Sequence, residues 1–165
     1  MSEPVRISLR IPGTAPMPEI ITLIQDVEAA GFDGAGILDS QLLCRDTYVT
    51  MALAATQTSQ LTLFPAVTNP FTRHASVLAG AIQTVAELAP GRLKCVIGTG
   101  YTSASTIGRK PATLAQMRAC VSVKSGGGPV LVRCSGQSQQ KQVSSSIRRA
   151  ALRIEEHRHQ ASCAA

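Results

Sequence analysis

The chain has 165 residues, 44% hydrophobic and 16% charged, which is enough apolar material for one packed domain and excludes wholesale disorder. No apolar run approaches the roughly 18 residues of a membrane span, and the first ten residues hold no apolar leader core, so a cytoplasmic protein with no membrane partner is expected. Five cysteines, an odd number with no CxxC pair, argue against a disulfide framework and a zinc module, and no metal site is expected.

The net charge of +6 is unevenly spread. Residues 1–118 hold nine Lys/Arg against eight Asp/Glu, whereas residues 119–165 hold seven against two. All five aromatic residues (Phe32, Tyr48, Phe64, Phe71 and Tyr101) precede this seam. The chain therefore divides into 1–118, which carries the fold, and 119–165, a basic tail poor in aromatics.

Val5–Ile11 is rich in β-branched residues and partly alternating, which predicts a strand broken by Pro12, Gly13, Pro16 and Pro18. From Glu19 the residues Ile20, Leu23, Ile24 and Val27 keep helical spacing, with Gly31 as the C-terminal stop. Phe32–Leu38 predicts a second strand ending at Asp39-Ser40. Asp46 is placed to cap a second helix, with Val49, Ala52, Leu53 and Thr56 on one face. Leu61–Val67 predicts the third strand. A third helix follows, with Leu78, Ala81, Ile82, Val85 and Leu88 on its stripe and Pro90-Gly91 as its stop. Arg92–Ile97 predicts the fourth strand, running into Gly98-Thr99-Gly100, and Pro111–Arg118 begin a fourth helix.

Predicted strands start near residues 5, 32, 61 and 92, close to the roughly 31 residues per βα unit of a (β/α)8 barrel. Alternation at this period means parallel pairing. Periodicity leaves two α/β architectures open, a partial barrel and a doubly wound open sheet. In both, function gathers at the C-terminal strand ends, here Asp39–Arg45, Ala66–His74 and Gly98–Arg109. Read alone, Gly98-Thr99-Gly100 is either a tight βα turn or a cradle whose free N–H groups bind an anion.

The stretches EAAGFDGAGILDS, FPAVTNPFTRHAS, AELAPGRLKCVIGTG and TIGRKPATLAQMR resemble, in order from Val5 to Arg118, the luciferase-like monooxygenase superfamily. The likeness is to its deazaflavin-dependent branch, similar to methylenetetrahydromethanopterin reductase. It implies a (β/α)8 barrel of roughly twice this length, hence a partial TIM barrel of about four βα units here with an irregular basic tail. It also implies an oxidoreductase using FMN or an 8-hydroxy-5-deazaflavin coenzyme for hydride transfer or monooxygenation of a small-molecule substrate.

Carried onto this sequence, the resemblance places a non-proline cis peptide near Ala66-Val67, behind the coenzyme ring. Gly98, Thr99, Gly100 and Arg109 are then expected near the coenzyme's polar tail. Asn69 is expected either to bond the ring's polar edge or to form an Asx turn before Pro70. Asp39 ends strand two where the family often has an acidic residue, and can serve as acid, base or hydrogen-bond anchor. Alternatively it caps its loop. His74, the one histidine before the seam, either moves a proton or opens the helix in solvent. Asp39 and His74 are the candidate catalytic residues, while Cys44 and Cys95 read as packing. Pro65, lacking an N–H donor, sits awkwardly if strand three is central. Tyr101 departs from the small or acidic residue that related sequences often carry.

After Arg118 the likeness stops. Lys124–Pro129 lacks the G-K-[ST] ending of a phosphate loop and reads as a linker. Val130–Val132 reads as a short strand and Ser144–His159 as a basic amphipathic helix, while His157, His159 and Cys163 match no standard metal spacing. The abrupt change favours non-native sequence such as a frameshift, against a basic appendage for an acidic partner. With no aromatic for base stacking, nucleic acid is not expected as a partner. Four βα units cannot close an eight-stranded barrel. The expected activity is therefore that of a truncated oxidoreductase, weak unless a second copy or complementing fragment completes it. The alternatives are an inactive interaction fragment or a basic nucleic-acid-associated protein.

Overall fold

A computed structural model describes residues 5–121 and the backbone of residues 132–134. Four strands lie where expected, in shorter form: β1 (Ser8–Ile11), β2 (Gly34–Ile37), β3 (Thr62–Pro65) and β4 (Cys95–Ile97). The fifth, β5 (Val132–Cys134), falls two residues beyond the strand expected at Val130–Val132. The helices are α1 (Met17–Ala29), α2 (Thr47–Gln57), α3 (Ala75–Leu88), a short α4 (Tyr101–Thr106) and α5 (Leu114–Val121). The linker and helix expected within 122–131 and 144–159 lie outside the described residues. Helix α5 continues through the expected seam at Arg118 to Val121, with Cys120 packed against the core.

Every pairing is parallel. Strand β1 pairs with β2 and β2 with β3. Bridges Leu63–Leu93 and Thr68–Ile97 bring β4 alongside β3, and β5 pairs with β4. The strands thus follow one another in chain order. A doubly wound sheet reverses its order at a switch point; none occurs among the described strands, and the partial-barrel alternative holds.

One sheet face carries the core. Ile11, Ala35, Ile37, Leu63, Cys95 and Ile97 pack against Ile20, Ile24 and Val27 of α1, Met51 and Ala54 of α2, and Leu78, Ile82 and Val85 of α3. Burying each large aliphatic side chain contributes about 1.5–3 kcal/mol. Along the strands the alternate residues Ser8, Arg10, Gly34, Gly36, Thr62 and Phe64 share the opposite face. That face is the concave one of a barrel wall.

Local chemistry explains the helix ends. Gly31 (φ +78°) follows α1, its N–H donates to the Glu28 carbonyl and the Phe32 N–H to the Val27 carbonyl, a Schellman closure that glycine makes without steric cost. The Asp46 carboxylate accepts from the N–H groups of Tyr48 (2.9 Å) and Val49 (3.0 Å). One expectation fails on α2. Val49 and Leu53 are exposed, and the buried side is Thr47, Tyr48, Thr50, Met51, Ala54 and Ala55. The helix is short and apolar around most of its girth, so spacing alone does not choose its inner face.

Pro65 fits because the β3–β4 ladder is interrupted where it lies. Leu63 N–H donates to the Arg92 carbonyl and the next bond to that side is Thr68 N–H to the Val96 carbonyl, leaving a gap across 64–67. The missing N–H of Pro65 falls within that gap, while Ala66 N–H still donates to the Ile37 carbonyl of β2.

Candidate functional site

A cavity of about 490 Å³ opens at the C-terminal strand ends, walled by Arg10, Thr14, Leu38–Ser40, Leu43, Cys44, Ala66, Val67 and Gly98–Ser103. The three loops expected to carry function therefore share one rim. The Ala66-Val67 peptide in this wall is cis, at the position the resemblance implied. Gly98, Thr99 and Gly100 line the cavity beside it, Gly98 N–H donating to the Thr68 carbonyl at 2.8 Å, and bring no bulky side chain to the lining. Gly100 has φ +74° and opens α4, a helix unseen in the sequence because its six residues are mostly small and polar. The loop is thus a βα turn whose residues also line the cavity. Its Thr99 carbonyl accepts from Ala112 N–H (2.8 Å), tying the start of α5 to the rim.

Asp39 reaches the cavity wall but its carboxylate is occupied. It accepts from Arg73 Nη1 at 2.9 Å on both oxygens, from Thr68 Oγ1 at 2.7 Å and from Gln41 Nε2 at 2.8 Å. The side chains of Arg73 and Asp39 are 13% and 1% exposed. Arg73 Nη2 also meets Asp46 Oδ2 at 2.7 Å, and the guanidinium lies 4.8 Å from the Tyr48 ring centre. Burial works against the charge of Arg73, yet its two carboxylate partners outweigh it and raise its pKa. Asp46 is likewise held below the usual carboxylate range. Burial opposes the shift, while the Val49 N–H and Arg73 more than offset it. Burial pushes the Tyr48 phenol well above its ordinary value. Arg73 therefore binds the end of β2, the start of α2 and, through Asp39 and Thr68, the end of β3. This hub was not legible in the sequence beyond its place in the TNP-x-TRH motif.

Asn69 is fully buried and fully used. Its Oδ1 accepts from Phe71 N–H (2.9 Å) and Thr72 N–H (3.1 Å), and its Nδ2 donates to Ser103 Oγ (2.9 Å) and Thr72 Oγ1 (3.1 Å). An Asn side chain offers two donors and two acceptor lone pairs, so the Asx-turn alternative describes its geometry and it braces the wall from behind. His74 is exposed and is not among the lining residues. Its Nδ1 accepts from Ser76 N–H (3.3 Å) and lies 2.8 Å from Ser76 Oγ, capping α3. Arg109 is exposed, with its guanidinium 5.6 Å from the Phe71 ring centre. Cys95 packs in the core as expected, but Cys44 is half-buried in the cavity wall. Among the described residues no group of three His, Cys, Asp or Glu side chains converges on a metal position, and no helix is long and apolar enough to cross a membrane.

A family model described as luciferase-like monooxygenase matches residues 3–123, and the chain belongs to that family. It is 34% identical over 85 residues to 5,10-methylenetetrahydromethanopterin reductase of Methanolobus tindarius, covering 52% of this chain and 26% of that protein. The coenzyme F420-dependent tetrahydromethanopterin reductase from Methanopyrus kandleri superposes with TM-score 0.64 at 25% identity, covering 71% of this chain and 38% of that one. The oxygenating constituent of 3,6-diketocamphane monooxygenase from Pseudomonas putida, solved with FMN, shares the fold with TM-score 0.59 at 20% identity, over 70% of this chain and 37% of that one. The chain thus spans about a quarter to two fifths of the length of these three relatives.

Proposed function

We propose that the cavity is the coenzyme pocket of a flavin- or deazaflavin-dependent oxidoreductase, taking FMN or an 8-hydroxy-5-deazaflavin together with a small-molecule substrate. The observation that carries this reading is the rim cavity itself. It lies in the volume range of cofactor pockets, at the strand ends where this fold concentrates its chemistry, and Ala66, Val67 and Gly98–Gly100 line it side by side. The donor set suits the group, because peptide edges and Gly positions admit a flat ring and a polar chain closely.

When bound, the reduced coenzyme supplies the hydride, or the electrons that activate oxygen. The chain supplies position. Ala66 and Val67 back the ring, Gly98-Thr99-Gly100 receives the polar chain, and Arg109 offers cationic donors to its phosphate end. Asp39 acts as an anchor that fixes the β2 end, its charge balanced by Arg73. Asn69 positions Gly100 from behind, and His74 caps α3 rather than transferring a proton. The described residues wall the pocket on its β1–β4 side, so weak affinity is expected unless a second copy or a complementing segment covers the rest.

Titrating the chain with FMN and with the deazaflavin, following coenzyme fluorescence, tests the reading. Thr99 is exposed on the cavity wall, so Thr99→Trp fills the pocket without disturbing the core. Binding by the native chain, weakened at least about tenfold in T99W with an unchanged Tm, is the expected result. Equal binding by both proteins overturns it.

A further inference from the structure

We propose that Arg10 anchors an anionic group, a carboxylate or phosphate, on the substrate rather than on the coenzyme. The proposal rests on the reading of the cavity as the reaction pocket and assigns the substrate's charge.

Two charged side chains line the cavity, Arg10 and Asp39. Asp39 is already neutralised by Arg73 at 2.9 Å. Arg10 has no ion pair or hydrogen-bonded partner for its side chain among the described residues. It is thus the uncompensated charge of the described wall. Pockets of this size fix orientation with a few polar groups on a largely apolar lining, and Leu38, Leu43, Val67 and Tyr101 supply such a lining here.

Position separates the substrate from the coenzyme. Arg10 lies on β1, in register with Gly36, whereas Gly98–Gly100 follow β4. Three strand spacings separate them, about 14 Å measured along the sheet. A coenzyme tail received at β4 leaves the β1 side to the other reactant. Gly36 keeps that side low, since a Cβ there would meet the Phe64 ring at 2.5 Å.

The test titrates the full chain, with no coenzyme added, against 2-naphthoate and its uncharged isostere 2-naphthamide, with amide NMR shifts to locate binding. The native chain is expected to prefer naphthoate by about fivefold, the scale of an exposed ion pair. Arg10→Gln abolishes the preference and R10K keeps part of it. Added salt weakens naphthoate binding and leaves naphthamide unchanged, a readout needing no variant. Equal affinities in the native chain, or a preference that survives R10Q or high salt, overturn the proposal. A parallel comparison of FMN with riboflavin separates the two sources of anion. R10Q is expected to leave their ratio unchanged, and a selective loss of FMN assigns Arg10 to the coenzyme phosphate and overturns the substrate assignment. Loss of all coenzyme binding with the naphthoate preference intact defeats the coenzyme reading while the anion site stands.

Discussion

Gly100 lies so close to Asn69 that a Cβ built on it would stand 2.6 Å from the Asn69 Cβ and 2.9 Å from its Cγ. The contact joins the β3 end to the turn after β4, and Gly100 also holds φ +74°, a conformation L residues adopt reluctantly. Gly100→Ala is therefore expected to destabilise the chain by about 1–3 kcal/mol and to weaken coenzyme binding. Thermal unfolding measures the first and fluorescence titration the second. A fully stable G100A protein would contradict the close packing.

The Arg73–Asp39 pair predicts an asymmetry. Removing one partner leaves the other charge buried, so Asp39→Ala or Arg73→Ala should each cost about 3 kcal/mol. The double variant should cost less than the sum of the two. Denaturant unfolding of the full cycle checks this, and strict additivity would show that the two side chains do not interact.

A second close approach is testable by relief. A Cβ on Gly36 would meet Phe64 Cε2 at 2.5 Å and the Ala66 Cβ at 2.9 Å. Gly36→Ala is expected to lower Tm. Adding Phe64→Leu should recover part of the loss, because the ring is half-exposed and the Ala66 Cβ keeps the remaining clash.

Acid should loosen the opposite end of the sheet. Glu28 accepts from the N–H groups of Ser59, Gln60 and Leu61 at 2.7–3.1 Å. Burial opposes ionisation, yet those bonds and Arg92 hold the Glu28 carboxyl below its ordinary range. Asp46 is held low as well. A carboxyl whose folded pKa is depressed adds stability that is present above its unfolded pKa and lost as pH falls through the folded value. Stability should therefore hold above the ordinary carboxylate range, about pH 5, and decline as the pH falls through and below that range. Glu28→Gln should flatten part of that decline. An unchanged acid profile in E28Q would remove Glu28 from the account.

The positions of the first four strands, α1 with its Gly31 stop, the Asp46 cap and the rim position of the loops were all legible in the sequence, because each depends on neighbours within a few residues or on a repeated period, whereas the period alone left the strand order open. The resemblance supplied the cis Ala66-Val67 peptide, which no local pattern carries. What stayed hidden involves long-range contacts. The inner face of α2 depends on what packs over it. The partners of Asp39 and Asn69 come from residues such as Arg73 and Ser103, 34 positions away. Helix α4 is too short and polar to leave a periodic signal. For Asn69 and His74 the sequence left a ligand contact and a local bonding role both open, and the described hydrogen bonds are those of an Asx turn and a helix cap.

The most direct test of the coenzyme pocket is residue-resolved amide NMR of the full chain during titration with FMN and with the deazaflavin. Saturable shifts concentrated at Ala66–Thr68 and Gly98–Tyr101, on one rim, are predicted. Shifts confined to the Glu28–Gln60 end of the sheet, or no saturable binding at millimolar coenzyme even when the complementary barrel segment is supplied, would contradict the account.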